Sequence, residues 1–352
     1  KRDKNLQIKL NEIKIFLNIN DFKFELKTND PKVFFKNKEL KIKSISTDLP
    51  LKNLLSQKMN LKEVKILTHK NKIGNLIEVI RAYEDNPQLF ILNKIVKDGF
   101  IEIGSKINFN EDGSINSNYL VDGNIENLKI ELLNNDIVEN INLSFLIREK
   151  NYLIYNFSSL YQSIKVKSNK IKIIENRGYY NFEGDISNQK SRINLSKFSN
   201  FLNKNMRSIV KEELTISSNN NFTFKLNKKI KFSDINIQSK IILEEFRYSN
   251  GIFKRFFPGY KKDIKFENNS ITIDFKNSDF EIIGKSKLNI NGDIDNINYS
   301  LKKIEREFIY DFSFEFVNSA INFKILNYTK NKGEKSLINI NGKYLESKVI
   351  NL

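Results

Sequence analysis

A period-two alternation of apolar and polar residues runs along most of this chain, and such a pattern puts every second side chain on one face of a β-strand. The runs include Ile13, Ile15, Leu17, Ile19, then Phe22, Phe24, Leu26, then Ile101, Ile103, Ile107, Phe109. Others are Ile141, Leu143, Phe145, Ile147 and Ile271, Ile273, Phe275. The strongest is Phe308, Tyr310, Phe312, Phe314, Phe316, followed by Ile321, Phe323, Ile325. Lys, Asn, Glu, Asp and Ser fill most of the intervening positions, so each strand has a wet face, which favours antiparallel pairing over a sheet buried on both sides. The expected fold is mainly β: a long, curled antiparallel sheet forming an open groove.

Two stretches break the alternation. From Leu49 to Val96 the apolar residues move to three-and-four spacing, as in Leu51, Leu54, Leu55 and Ile73, Leu76, Ile77, Ile80. Pro87 ends one helix and opens the next, so a small helical insert is expected around a strand from Val64 to Leu67. A further helix over Phe198 to Leu214, with Phe201, Leu202, Met206 and Val210 on one side, is expected to cap the sheet. The resulting segments are strands over 1–48, the insert over 49–97, groove strands over 98–196, the helix over 197–214 and groove strands over 215–352. A length of 352 residues fits one large domain or two ordinary ones. Asn110 to Ser114 reads as a hairpin turn with Gly113 at a positive φ. A recurrence of Gly123-Asn124-Ile125, Gly184-Asp185-Ile186 and Gly292-Asp293-Ile294 suggests equivalent bulges where the sheet bends.

The formal charge of +17 would attract an anionic membrane surface or nucleic acid. The charge is spread rather than clustered, and abundant Lys, Asn and Ile beside only two alanines, Ala82 and Ala320, mark an AT-rich genome, so nucleic acid is disfavoured as a partner. The absence of cysteine excludes disulfides, thiol catalysis and thiolate-bound metals. His69 is the single histidine, and it has no partners spaced for a triad or a metal site, so no catalytic centre, metal or cofactor is expected. No phosphate-cradling glycine loop is present. No apolar run approaches the roughly 18 residues of a spanning helix, and no secretory leader precedes the strands. Because the chain begins at Lys1, a leader, anchor or further part of a longer protein is expected to have been removed.

An apolar face made of so many amphipathic strands is too large to leave in water. A second sheet, closure into a barrel, or hydrocarbon lying in an open groove would each cover it. For the groove, the candidate lining residues are Ile141, Leu143, Phe145, Ile271, Ile273, Phe275, Phe312, Phe314 and Phe316, with phospholipid acyl chains as the partner. The segment Phe253 to Lys262 interleaves aromatics with cations around Pro258-Gly259. Lys254, Arg255, Phe256, Phe257, Tyr260 and Lys261 are candidates for a membrane-surface loop, and a tight turn with its rings packed back on the sheet is the competing reading. The alternative to lipid binding is a structural or adhesive β-sandwich or solenoid that binds another protein. An outer-membrane barrel sits awkwardly with the helical insert.

The order of elements from Leu40 to Asn127 resembles the AsmA-like family of envelope proteins, whose larger relatives include the YhdP and TamB groups. The similarity runs through the strand Leu40 to Ile45, the short helix at Leu49 to Leu55, and the strand Lys62 to Leu67. It continues through the helix Ile73 to Tyr83, Lys97-Asp98-Gly99-Phe100-Ile101-Glu102-Ile103, the turn at Asp112-Gly113, and Tyr119 to Ile125. About a quarter of the chain carries it, and the remainder agrees in repetitive β character. The resemblance implies a periplasmic β-groove, tethered to the inner membrane by a segment absent from this chain. It further implies a part in moving phospholipid between inner and outer membranes or in outer-membrane biogenesis, with envelope proteins as partners and no catalytic motif.

Overall fold

The computed structural model describes residues 6–20, 22–35, 38–50, 62–83, 87–110, 112, 114–132, 136–194, 213–248, 251–258, 260 and 263–345. They are mainly β, and the described strand pairings are antiparallel, as the one-sided alternation requires. The chain divides into two compact units, one of residues 1–161 with 167–180 and one of residues 162–166 with 181–352.

The first unit contains β1 (Leu6–Lys9), β2 (Ile13–Asn18), β3 (Lys23–Asn29), β4 (Lys32–Phe35), β5 (Lys38–Pro50), β6 (Glu63–Thr68) and β7 (Asn71–Lys72). After α1 (Ile73–Tyr83) and α2 (Pro87–Ile95) come β8 (Val96–Asn108), β9 (Leu120–Glu131), β10 (Ile137–Arg148) and β11 (Asn151–Tyr161). Pairing runs β2–β3–β5–β6–β8–β9–β10–β11. Among the described residues β2 pairs with β3 alone. Register aligns Ile45 with Ile66, Ile103 with Gly123, and Gly123 with Phe145, which gathers the alternating apolar residues on one face.

Helix α1 covers part of that face. Ile73 and Ile77 bury against Ile101, with Ile125, Leu128 and Phe145 packed around them. Buried Asn71 fixes the entry to α1, because its amide donates to the carbonyls of Lys41 and His69 while its oxygen accepts from the Lys41 amide. Pro87 occupies the first position of α2, where its fixed φ suits a helix start.

The division between units falls within β12 (Ile164–Asn176) and β13 (Tyr179–Asn194). The second unit continues with β14 (Glu213–Asn227), β15 (Phe232–Tyr248), a 3-10 turn at Gly251–Arg255, β16 (Ile264–Lys276), β17 (Asp279–Ile290), β18 (Asp293–Ile304) and β19 (Glu307–Phe316). It ends with β20 (Ile321–Phe323), a 3-10 turn at Lys324–Leu326, β21 (Tyr328–Lys330) and β22 (Ser336–Leu345). Pairing runs β14–β15–β16–β17–β18–β19–β22, and β20 and β21 form a separate small hairpin. Among the described residues β22 pairs only with β19, and the strands of both units belong to one long antiparallel sheet that is not closed into a barrel.

Several expectations change. Leu49 and Pro50 end β5 rather than open a helix, because Leu49 is buried opposite Phe24, and among the described residues the helical insert consists of α1 and α2. The expected helix at Leu51 to Leu55 lies outside the described residues. So does most of the helix expected over 198–214, except that Glu213 and Leu214 already belong to β14. Ile19 and Phe22 sit in the turn between β2 and β3, with Phe22 at φ 49°, rather than in strands. Ile325 falls in a 3-10 turn, not in a continuing strand. The turn from Asn110 to Ser114 is a hairpin closed by the Ser114 carbonyl accepting from the Asn110 amide; Gly113 lies outside the described residues.

The three glycine motifs are not equivalent bulges. Gly123 lies within β9, Gly184 within β13, and Gly292 in a two-residue turn with Asn291, both at positive φ. Register shifts occur beside Asn127, just after the first motif, and beside Asn140, Asn156 and Asn268, each in the left-handed region that asparagine tolerates better than other side chains. Neighbouring amides stitch these bulges. The Asn142 amide donates to the Asn140 carbonyl, and that of Asn269 donates to the carbonyls of Leu243 and Phe266.

Replacing Ile77 by Ala removes the centre of the α1 contact with the sheet. A loss of about 2–5 kcal/mol is expected for such a truncation, measured by chemical denaturation of the whole chain.

Candidate functional site

In the second unit, register stacks side chains of one face into rows that cross the strands. One row is Phe275, Phe280, Lys303, Phe308 and Tyr344; the next is Ile273, Ile282, Leu301, Tyr310 and Gly342. A third is Ile271, Gly284, Tyr299, Phe312 and Ile340, and a fourth joins Ile297, Phe314 and Ile338. Rings stack along β19, Phe312 on Phe314 at 6.4 Å and Phe314 on Phe316 at 5.8 Å. On the first row the Lys303 ammonium lies 5.2 Å from the centre of the Phe308 ring, which stacks on Tyr344 at 4.8 Å.

Glycines make room for the rings. A side chain at Gly284 would collide with the Tyr299 ring, and one at Gly342 with the Tyr310 hydroxyl, because each tyrosine lies flat across the glycine opposite it. The same arrangement places Phe145 over Gly123 in the first unit, where a Cβ would come within 2.8 Å of Phe145 Cζ. These pairs let large rings line a sheet face without standing up from it.

Over the last two rows the second unit adds a roof. The 3-10 turn at Gly251–Arg255 and the turn after it fold back, so that Phe257 packs on Phe316 at 5.7 Å and Phe253 on Tyr248 at 5.7 Å. Phe323 of β20 packs on Phe256 at 4.9 Å, and the Asn322 amide donates to the Phe256 carbonyl. Between roof and sheet lies an open-sided cavity of about 540 Å³. Its walls include Phe246, Phe266, Ile271, Ile297, Tyr299, Phe312, Phe314, Phe316 and Ile340, with Asn269 the one amide, both of whose donated bonds go to backbone carbonyls. Burial pushes the Tyr299 phenol above its ordinary pKa. A volume inside the roughly 300–1,000 Å³ range of small-molecule sites, with walls of this kind, suits hydrocarbon and offers little to a polar ligand.

The sequence candidates separate accordingly. Ile271, Phe312, Phe314 and Phe316 line the cavity, whereas Ile273 and Phe275 share the sheet face outside it. Ile141, Leu143 and Phe145 lie in the first unit, where Phe145 packs into the α1 cluster and Ile141 is buried, so these two are protein-filled. The candidates for a membrane-surface loop divide between core and surface, and the rings pack back on the sheet as the competing reading has it. Phe257 and Tyr260 are each 8% exposed and belong to the core, and Phe256 is half-buried against Phe323. Hydrophobic burial has turned these rings inward, leaving Lys254 and Arg255 exposed, while Lys261 lies outside the described residues. Sequence reasoning did not select Leu243, Phe246, Ile297, Tyr299 or Phe323 for the site. Leu243 and Tyr299 alternate like their neighbours, and only the register shows which cross-strand partners they meet.

Charge sits mostly on the opposite face and at strand ends. Glu63 is held below the ordinary glutamate pKa: burial opposes the shift, but hydrogen bonds and charge from Lys106 and Lys65 outweigh it. His69 lies 2.8 Å from Asp30 on an exposed surface. Among the described residues no group of three or more His, Asp or Glu side chains is disposed to hold a metal ion, and no helix is long and apolar enough to cross a membrane. Comparison with protein-family models, curated proteins and solved structures yields no match.

Substituting Gly284 by Ala forces the Tyr299 ring off the sheet and into the cavity. Overpacking of this sort costs about 1–3 kcal/mol. The variant should lose stability by that amount in denaturant and bind apolar fluorophores more weakly than the native chain.

Proposed function

We propose that the protein binds lipid hydrocarbon on the apolar face of its sheet, as a groove-forming segment of an AsmA-like envelope protein. In this reading acyl chains lie against Ile271, Tyr299, Phe312 and Phe314 while headgroups stay at the wet rim, and no energy source within the chain is required. The role is transfer of phospholipid between inner and outer membranes, or outer-membrane biogenesis, carried out in the periplasm from an inner-membrane tether outside this chain. The single observation that supports it most is the open-sided apolar cavity of about 540 Å³ that the protein's own side chains leave unfilled. An unfilled void lined by rings forfeits dispersion contacts that an occupant would restore.

A second reading, an adhesive or structural module that binds another protein, draws on β2. Its side chains are exposed, with Ile13 at 53%, Ile15 at 64% and Leu17 at 52%, and among the described residues it pairs with β3 alone. An unpaired strand edge accepts a partner strand.

Lipid extraction from the purified chain followed by mass spectrometry separates the two. Phospholipid should co-purify with the native protein, and Ile340→Glu should remove at least about 90% of it. Ile340 is half-exposed at the cavity wall, so this change should move stability by no more than roughly 0.5 kcal/mol. A native chain free of lipid would reject the lipid reading in favour of the protein-binding one.

A further inference from the structure

The chain between β19 and β22 is held by two buried charges that the sheet's alternation does not call for. Asp295 stands on the apolar face of β18, opposite Leu288, yet is 3% exposed. Its Oδ1 accepts from the amides of Val317 and Asn318 at 2.6 and 2.8 Å, and its Oδ2 from the amide of Ser319 at 3.0 Å. Lys330 of β21 is 2% exposed, and its ammonium donates to the carbonyls of Val317, Ser319 and Asn331 at 3.1, 2.8 and 3.1 Å. One short peptide segment is therefore gripped through its amides by a carboxylate and through its carbonyls by an ammonium. Charge-assisted bonds of this kind are among the strongest a protein makes, and removing one partner leaves buried groups unsatisfied.

The grip has a geometric result. Residues 317–319 redirect the chain out of β19 so that Ile321, fully buried, enters the core and Phe323 reaches Phe256 over the cavity. The same turn is tied further by the Gly333 amide donating to the Val317 carbonyl and by the Lys332–Asp293 ion pair at 2.6 Å. Phe323 is joined to the sheet through this excursion, and the other half of the roof reaches it through the Asn322–Phe256 bond.

We propose that Asp295 and Lys330 are positioning residues that fix Phe323 as a roof over the cavity, and that this roof sets how long a hydrocarbon tail remains bound. The inference rests on the lipid-binding reading above. A tail in the roofed rows is enclosed by rings on both sides, whereas one on the rows of Ile273 and Phe275 is covered on one side only. The roofed section is thus a retention site within the groove.

The probe is a fluorescent polyunsaturated fatty acid, cis-parinaric acid, loaded on the full chain and displaced by excess oleate in a stopped-flow instrument. Lys330→Met and Phe323→Ala should each release it roughly tenfold faster than the native chain, since changes at a contact surface act mainly on dissociation. Hydrogen exchange should accelerate at residues 317–319 in Lys330→Met and stay native there in Phe323→Ala. Should Lys330→Met fail to fold, Phe323→Ala decides whether the roof retains the tail. Native release rates in Phe323→Ala, or in a Lys330→Met chain whose 317–319 amides exchange faster, would overturn the inference and leave lipid binding standing. A native chain that does not bind the probe would overturn both.

Discussion

The controlling constraint is the fate of one apolar sheet face. Alternation makes each strand amphipathic, and antiparallel register then adds the apolar halves together, so the face grows with every strand paired. Hydrophobic burial at roughly 25 cal/mol per Å² makes an exposed face of that size untenable. In the first unit α1 supplies part of the cover, setting Ile73 and Ile77 on Ile101. In the second unit two excursions of the chain cover one flank of the face and leave a cavity beneath them. The two units meet the same problem with different pieces of backbone.

The cavity owes its shape to small details. Glycines opposite Tyr299 and Tyr310 let those rings lie down, and asparagine bulges at Asn140, Asn156 and Asn268 take up register shifts in the left-handed backbone conformation. Asparagine content, which reads as codon bias in the composition, therefore has structural uses at these positions. The buried Asp295 is another such detail. Burial alone would raise its pKa, but hydrogen bonds from Ser319 and from the amides of Val317 and Asn318 hold it below the ordinary aspartate value. A carboxylate with a lowered folded pKa stabilises the fold at neutral pH, and that contribution fades as pH falls through the lowered value.

Much of this was legible in the sequence, and for a physical reason. A period of two is a local property, so β8, β10, β16 and β19 were readable one strand at a time, as was the start of α2 at Pro87. Four of the nine groove candidates, Ile271, Phe312, Phe314 and Phe316, prove to line the cavity. Long-range pairing was not legible. No local pattern says that Tyr299 lies over Gly284, that Phe323 meets Phe256, or that Asp295 and Lys330 grip one peptide. The aromatic segment around Phe256 and Phe257 misleads for the same reason, since interleaved cations and rings look alike whether the rings point to a membrane or back to the protein. Gly292 looks like Gly123 in sequence, although one glycine serves a positive φ in a turn and the other makes room for the Phe145 ring.

The central claim is that hydrocarbon occupies the side of the second unit's sheet that carries Phe312 and Phe314. Photo-crosslinking reads this directly, with a benzophenone side chain placed at Ile340, in the cavity wall, or at Leu337, on the opposite face of the same strand. After irradiation with phospholipid vesicles, a lipid adduct on the chain labelled at 340 and none on that labelled at 337 is the expected result. Equal labelling at both positions, or none at 340, would contradict the account.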